Sequence, residues 1–184
     1  MVYVHFAEGF EEIEAVTIVD VLRRGGVDTK SVSVTGKREV CGSHGIIVCT
    51  DILFDEAIYD ECEMLVLPGG MPGADNLLAH RELGLKITAF AESKKYLAAI
   101  CAAPMVFGKL GILKNRKATI YPGMEENLTD AEVKSDRVVR DGNIITSRSA
   151  GTAMEFALTL VESLKGRETS LRLAQAMAAL TFLP

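Results

Sequence analysis

Tyr96-Leu97-Ala98-Ala99-Ile100-Cys101-Ala102-Ala103-Pro104-Met105-Val106-Phe107 reads as a short apolar strand that ends on a thiol and passes directly into a helix. In an α/β protein, that junction is where reactive groups and ligands collect. A cysteine there points its sulfur at the positive end of a helix, where unpaired backbone N–H groups and the helix dipole favour thiolate over thiol. Local context alone equally allows Cys101 to be a small residue filling a strand–helix corner.

The alternation extends in both directions from this junction. Toward the N-terminus, Val2 to Phe6 reads as a strand, Ile13 to Arg24 as a helix closed by Gly25-Gly26, and Lys30 to Thr35 as a second strand. Val40 to Cys49 reads as a hairpin interrupted by Gly42-Ser43-His44-Gly45. Met64 to Leu67 is a short buried strand that runs into Pro68-Gly69-Gly70. Leu83 to Glu92 is a helix, as is Ala103 to Leu110, which Gly111 stops. Beyond it come a strand at Lys117 to Ile120, two strands at Val138 to Arg140 and Ile144 to Ser147 around Asp141-Gly142-Asn143, and helices at Thr152 to Leu164 and Glu168 to Ala179. Strands alternating with helices predict a flavodoxin-like three-layer α/β/α sandwich with a mainly parallel sheet, in one domain over residues 1–184. Ligands of such a sheet bind outside the carboxyl ends of its strands, so Glu11 to Glu14, Gly69-Gly70, Cys101 and Ser147 to Gly151 should converge.

Composition narrows the function classes. Of 184 residues, 48% are hydrophobic and 24% charged, as in a folded globular chain that buries about 70% of its unfolded surface. The net charge of −5 and the scattered Lys and Arg argue against a nucleic-acid partner. No apolar run approaches the ~18 residues of a membrane span, and Met1 to Phe6 reads as a strand and not a signal peptide. The four cysteines form no CxxC pair and do not cluster with the three histidines, so no metal site is expected and the thiols point to a cytoplasmic setting. Neither a Walker loop nor a GxGxxG turn is present, which leaves nucleotide binding unsupported.

Among the cysteines, Cys62 lies between carboxylates in Asp60-Glu61-Cys62-Glu63, and Cys49 ends an Ile-Ile-Val run that reads as strand packing. Cys41 sits in a glycine-containing turn with no local cation to activate it. A nucleophile at Cys101 needs a proton partner, and the first helix offers Glu11, Glu12 and Glu14. Helical spacing puts Thr17, Asp20 and Arg24 on the solvent face and Ala15, Ile18, Val19 and Leu22 opposite. Glu14 falls between them, a candidate for partial burial, although Glu11 also fits the apolar side. Acids in a first turn also simply complement the helix dipole. If Glu14 meets Cys101, burial would keep it protonated and able to donate to sulfur. The amides of Gly70 and Ala102 could form an oxyanion-type pair beside that sulfur. His5 reads as packed in a strand, and His44 and His80 as surface residues.

In order, Glu8-Gly-Phe-Glu-Glu-Ile-Glu14, Leu67-Pro-Gly-Gly-Met-Pro-Gly-Ala-Asp-Asn76, Ala99-Ile-Cys-Ala-Ala-Pro104 and Thr146-Ser-Arg-Ser-Ala-Gly-Thr152 resemble the ThiJ/PfpI superfamily, in its DJ-one branch. The resemblance implies a flavodoxin-like fold of the class I glutamine amidotransferase type and a homodimer. It also implies a strained elbow cysteine at Cys101, a protonated acid at Glu14, and the Gly70 and Ala102 amides at the sulfur. The activity it implies is a cofactor-independent glyoxalase or deglycase acting on methylglyoxal and its early adducts, or a redox-sensing or chaperone-like stress role. Many relatives place a histidine near the cysteine where this chain has Tyr121, which removes a proton relay. The peptidase-like branch has a histidine directly after its cysteine, where this chain has Ala102, so a thiol peptidase or amidotransferase is the minor alternative.

Overall fold

A computed structural model describes residues 1–182. The main sheet is built from β1 (Val2–Phe6), β2 (Thr29–Ser33), β5 (Ile52–Leu53), β6 (Met64–Leu67), β7 (Tyr96–Ile100), β10 (Val138–Asp141) and β11 (Ile144–Ser147). Their order is β10-β11-β7-β6-β1-β2-β5, and every pairing is parallel except that of β10 with β11. The expected hairpin stands outside this sheet as β3 (Glu39–Cys41) and β4 (Ile47–Cys49), and β8 (Lys117–Ala118) pairs with β9 (Glu132–Val133).

Alternation along each strand separates two cores. Val2, Val4 and Phe6 of β1, Met64 and Val66 of β6, and Ala98 and Ile100 of β7 face one side. There they meet α1 (Glu12–Arg24) and α5 (Ala153–Lys165) through Ile18, Leu22, Phe156 and Leu160, with α6 (Arg167–Ala176) packed on α5. Tyr3, Leu65, Leu67, Leu97 and Ala99 face the other side, against α2 (Gly73–Ala79), α3 (Arg81–Glu92) and α4 (Pro104–Lys109). With apolar side chains on both faces, the central strands can be covered only by helices on both sides, which is the predicted three-layer sandwich. No helix among the described residues is long and apolar enough to cross a membrane.

Several boundaries differ from the sequence reading. The second strand runs Thr29–Ser33, the strand expected to Ile120 stops at Ala118, and the last helix stops at Ala176. Helix α2 was not foreseen, because Gly69-Gly70-Met71-Pro72-Gly73 is punctuation by composition. On α1 the exposed face includes Ile13 and Val16, so the polar face drawn through Thr17, Asp20 and Arg24 is too narrow. Cys49, read as strand packing, is exposed because β4 pairs only with β3 and lies off the main sheet.

Chain order reverses beside β1: β2 lies on one side, and the chain returns to lay β6 on the other. The turns leaving β1 and β6 therefore separate at this point and open a crevice at the carboxyl end of the sheet.

Candidate functional site

The crevice is closed by interlocking turns. The Glu11 amide donates to the Gly69 carbonyl at 2.9 Å, and the Gly73 amide to the Gly9 carbonyl at 3.1 Å, lacing the β1–α1 and β6–α2 turns together. Gly70 has φ +89°, and a Cβ there would overlap the Glu11 amide nitrogen, so only glycine fits. Gly69 is the second necessary glycine: a Cβ would lie 2.6 Å from Cys101 Cβ and 2.9 Å from Glu14 Oε2. Those two distances also show how closely the cysteine and the acid approach the same turn.

Cys101 itself has φ +63°, a left-handed conformation that costs a non-glycine residue about 1 kcal/mol or more. Two neighbours hold it there. Its amide donates to the Ser147 carbonyl at 2.9 Å, and its carbonyl accepts from the Tyr121 amide at 2.9 Å. The left-handed turn takes the chain sharply from β7 toward α4 and leaves the sulfur against the Gly70 and Ala102 amides.

Glu14, expected to be partly buried, is buried completely. It sits in the first turn of α1, where Glu11 caps the helix by accepting from the Glu14 amide at 2.7 Å. Its Oε2 accepts from the Gly69 amide at 2.8 Å, while Oε1 is buried with no hydrogen-bond partner apart from what the Cys101 thiol can offer. Burial pushes the carboxyl up to about 7, against the Gly69 amide and the thiol, which favour ionisation; the Glu11 charge adds to the rise.

The expectation that a helix end would lower the Cys101 pKa does not hold for the ionised pair. Burial, reinforced by the Glu14 carboxyl, pushes the thiol up to about 12, and the Gly70 and Ala102 amides offset only part of that. Two reasons outweigh the dipole: α4 has only six residues and starts at Pro104, and a buried sulfur beside a carboxylate cannot hold a second negative charge. Between about 7 and about 12 the pair therefore holds a single proton. Moving the thiol proton to Glu14 turns the carboxyl from an acceptor into a donor to the sulfur.

The remaining candidates fall into place around this unit. Cys62 is buried, donates to the Met64 carbonyl at 3.1 Å, and is pushed up to about 11 by burial and not chiefly by its acidic neighbours. His5 is fully buried against the Tyr59 hydroxyl at 3.1 Å, as a packed residue, and burial lowers it to about 3. His80 caps α3, its Nδ1 accepting from the Leu83 amide at 3.1 Å. Asp20 pairs with Arg24 one helical turn on, and Arg148 donates to the Ser135 carbonyl. The Tyr121 side chain is 46% exposed, and its backbone, not its phenol, is what holds Cys101. Both clamping residues were placed near Cys101 by the sequence, but their backbone roles were not, because a carbonyl and an amide can come from any residue type.

The sequence profile of the DJ-1/PfpI family matches residues 1–163. Protein DJ-1 homolog B of Arabidopsis thaliana is 42% identical over 176 residues, covering 95% of this chain and 40% of its own length. The chain thus spans less than half the length of that relative, as it does for homolog A at 45%. Deglycase PfpI of Pyrococcus furiosus is 34% identical over 161 residues, which is 86% of this chain and 96% of that one. Among solved structures, oxidized DJ-1 of Toxoplasma gondii superposes with a TM-score of 0.92 at 34% identity, covering 96% of this chain and 97% of its own. The family match spans residues 1–163, which hold every turn that builds the crevice, and the chain belongs to the DJ-1/PfpI family.

Proposed function

We propose that the chain is a cysteine-dependent, cofactor-independent glyoxalase or deglycase acting on methylglyoxal and its early adducts, with Cys101 as nucleophile and Glu14 as general acid and base. One observation carries this reading: a left-handed Cys101 whose sulfur is shared between a fully buried carboxyl and two backbone amides. Glu14 takes the thiol proton, and the thiolate adds to the aldehyde carbon to form a hemithioacetal, with the Gly70 and Ala102 amides facing the new oxyanion. Glu14 returns its proton to that oxyanion, then carries the C–H proton to the adjacent carbonyl carbon while the new hydroxyl passes its proton to the adjacent carbonyl oxygen, which leaves a lactoyl thioester. Water cleaves the thioester, releasing lactate and restoring the thiol. The relative named a deglycase supports the substrate class. The four free thiols suit a cytoplasmic setting, and the exposed Ile13 and Val16 of α1 suit burial in a homodimer.

Lactate release from methylglyoxal by wild type, Cys101→Ala and Glu14→Gln tests the proposal. Turnover should vanish in the first variant and fall by ~10²-fold or more in the second. Wild-type turnover no better than that of Cys101→Ala would sink it.

A second reading, a redox sensor or stress protein with little turnover, is favoured by the same carboxyl, since protonated Glu14 would donate to a sulfinate on Cys101. An oxidized relative of the same fold is consistent with it. Intact-mass analysis after mild peroxide should then show a stable two-oxygen adduct on Cys101. An adduct mainly on Cys41 would count against this second reading.

A further inference from the structure

We propose that the turn entering α1 and the tip of the β3–β4 hairpin form a binding site for a divalent first-row transition cation, ligated by Glu11, Glu12 and His44. The fold brings together segments about thirty residues apart. His44 Nδ1 lies 2.7 Å from Glu12 Oε2 and 4.0 Å from Glu11 Oε1. One ligand atom from each residue falls within 4.8 Å of the other two, the one such group of three among the described residues.

What distinguishes this trio from ordinary surface acids is how each donor is held. Glu12 is only 5% exposed, and its Oε1 accepts from the His44 amide at 2.7 Å and the Ile46 amide at 3.4 Å. That leaves Oε2 turned to the imidazole, with the Ser43 hydroxyl 3.4 Å from Oε2 and 3.1 Å from His44 Nδ1, a contact the cation would displace. Glu11 commits Oε2 to the Glu14 amide, and Oε1 is the oxygen nearest His44. Each carboxylate is thus oriented by backbone amides through one oxygen and presents the other, the arrangement by which outer-shell partners fix metal ligands. Gly42 permits the approach, since a Cβ there would overlap the Glu12 carboxylate.

Charge and donor type indicate the ligand. Two carboxylates face a single imidazole, so the trio keeps net negative charge even when His44 is protonated. One imidazole and two carboxylates suit Zn²⁺, Co²⁺ or Ni²⁺. The His44 side chain is 69% exposed, which leaves the remaining coordination positions open to water. Metal–ligand bonds of about 2.0–2.2 Å place neighbouring donors roughly 3–3.5 Å apart. Binding therefore replaces the proton shared by His44 and Glu12, opens that contact slightly, and draws Glu11 in by less than about 1 Å. The cation would sit at the rim of the crevice, beyond Glu11, without using Cys101.

Titrating the wild-type chain with Co²⁺, followed by calorimetry and visible absorption, tests the site. One ion per chain is expected, with d–d bands and no thiolate-to-cobalt charge-transfer band. His44→Gln, at an exposed position, should bind at least ~10-fold more weakly. Glu11→Gln, which keeps an oxygen for the Glu14 amide, should weaken binding as well, with the metal-free melting curve unchanged. No binding by wild type, a thiolate band, or undiminished binding in both variants would overturn the proposal.

Discussion

Replacing Glu14 by Gln tests whether burial governs the centre of this protein. The substitution keeps the shape, an oxygen to accept the Gly69 amide, and an N–H to face the sulfur, and it removes only the titration. In the folded chain the carboxyl titrates at about 7, against 4.5 for a free one. Below 4.5 both folded and unfolded chains hold the proton and the two proteins should differ by a constant. Between 4.5 and about 7 the folded state binds more protons than the unfolded one, so wild-type stability falls as pH rises. Above about 7 both states are ionised and the loss is complete. At about 1.4 kcal/mol per pH unit, the interval amounts to about 3 kcal/mol, the cost of ionising a carboxyl that has no exposure to water. Urea unfolding of both proteins at fixed concentration, from about pH 4 to about pH 8, measures the difference directly. From the acid to the alkaline end, Glu14→Gln should gain about 3 kcal/mol on wild type, added to whatever constant difference separates them at low pH. A difference that stays flat across the range would refute the reasoning, since Glu14 would then titrate in the folded chain as it does in water.

His5 should act with the opposite sign: burial holds it neutral to about 3, so the unfolded chain binds an extra proton below about 6.5 and wild-type stability falls as pH drops, by up to ~1.4 kcal/mol per pH unit. His5→Phe should remove that slope while lowering the neutral plateau by about 1–3 kcal/mol, because the Tyr59 hydroxyl loses its partner; an unchanged slope in the same urea series would contradict the assignment. At Cys101, φ +63° makes Cys101→Gly about 1 kcal/mol more stable than Cys101→Ala, and equal unfolding midpoints would show that the turn stores no strain.

Much of the architecture is legible in the amino-acid sequence. The runs Val2–Phe6, Met64–Leu67 and Tyr96–Ile100 are read directly as buried strands, because apolar periodicity is a local property of the chain. Helix α2 was not legible, because the glycines and proline that open it serve the crevice and mask the helix behind them. The identities of the proposed catalytic pair were partly within reach. Cys101 follows a strand, and Glu14 lies on the flank of an amphipathic helix, but position alone left a packing role for Cys101 and the choice of Glu11 open, and the family resemblance singled the two out.

What the chain order alone could not decide was the state of that pair. The sign of the Cys101 shift depends on whether burial and a neighbouring carboxyl outweigh a helix end, and that balance is set by distances between β1, β6 and β7 turns far apart in sequence. The same holds for the Ser147 carbonyl and Tyr121 amide that pin Cys101, and for the meeting of His44 with Glu12. Sequence determined which residue types sit at the ends of which strands, because periodicity and turn chemistry are local. Only the tertiary structure decided which of them share a proton, because electrostatic coupling and desolvation depend on through-space distance and burial.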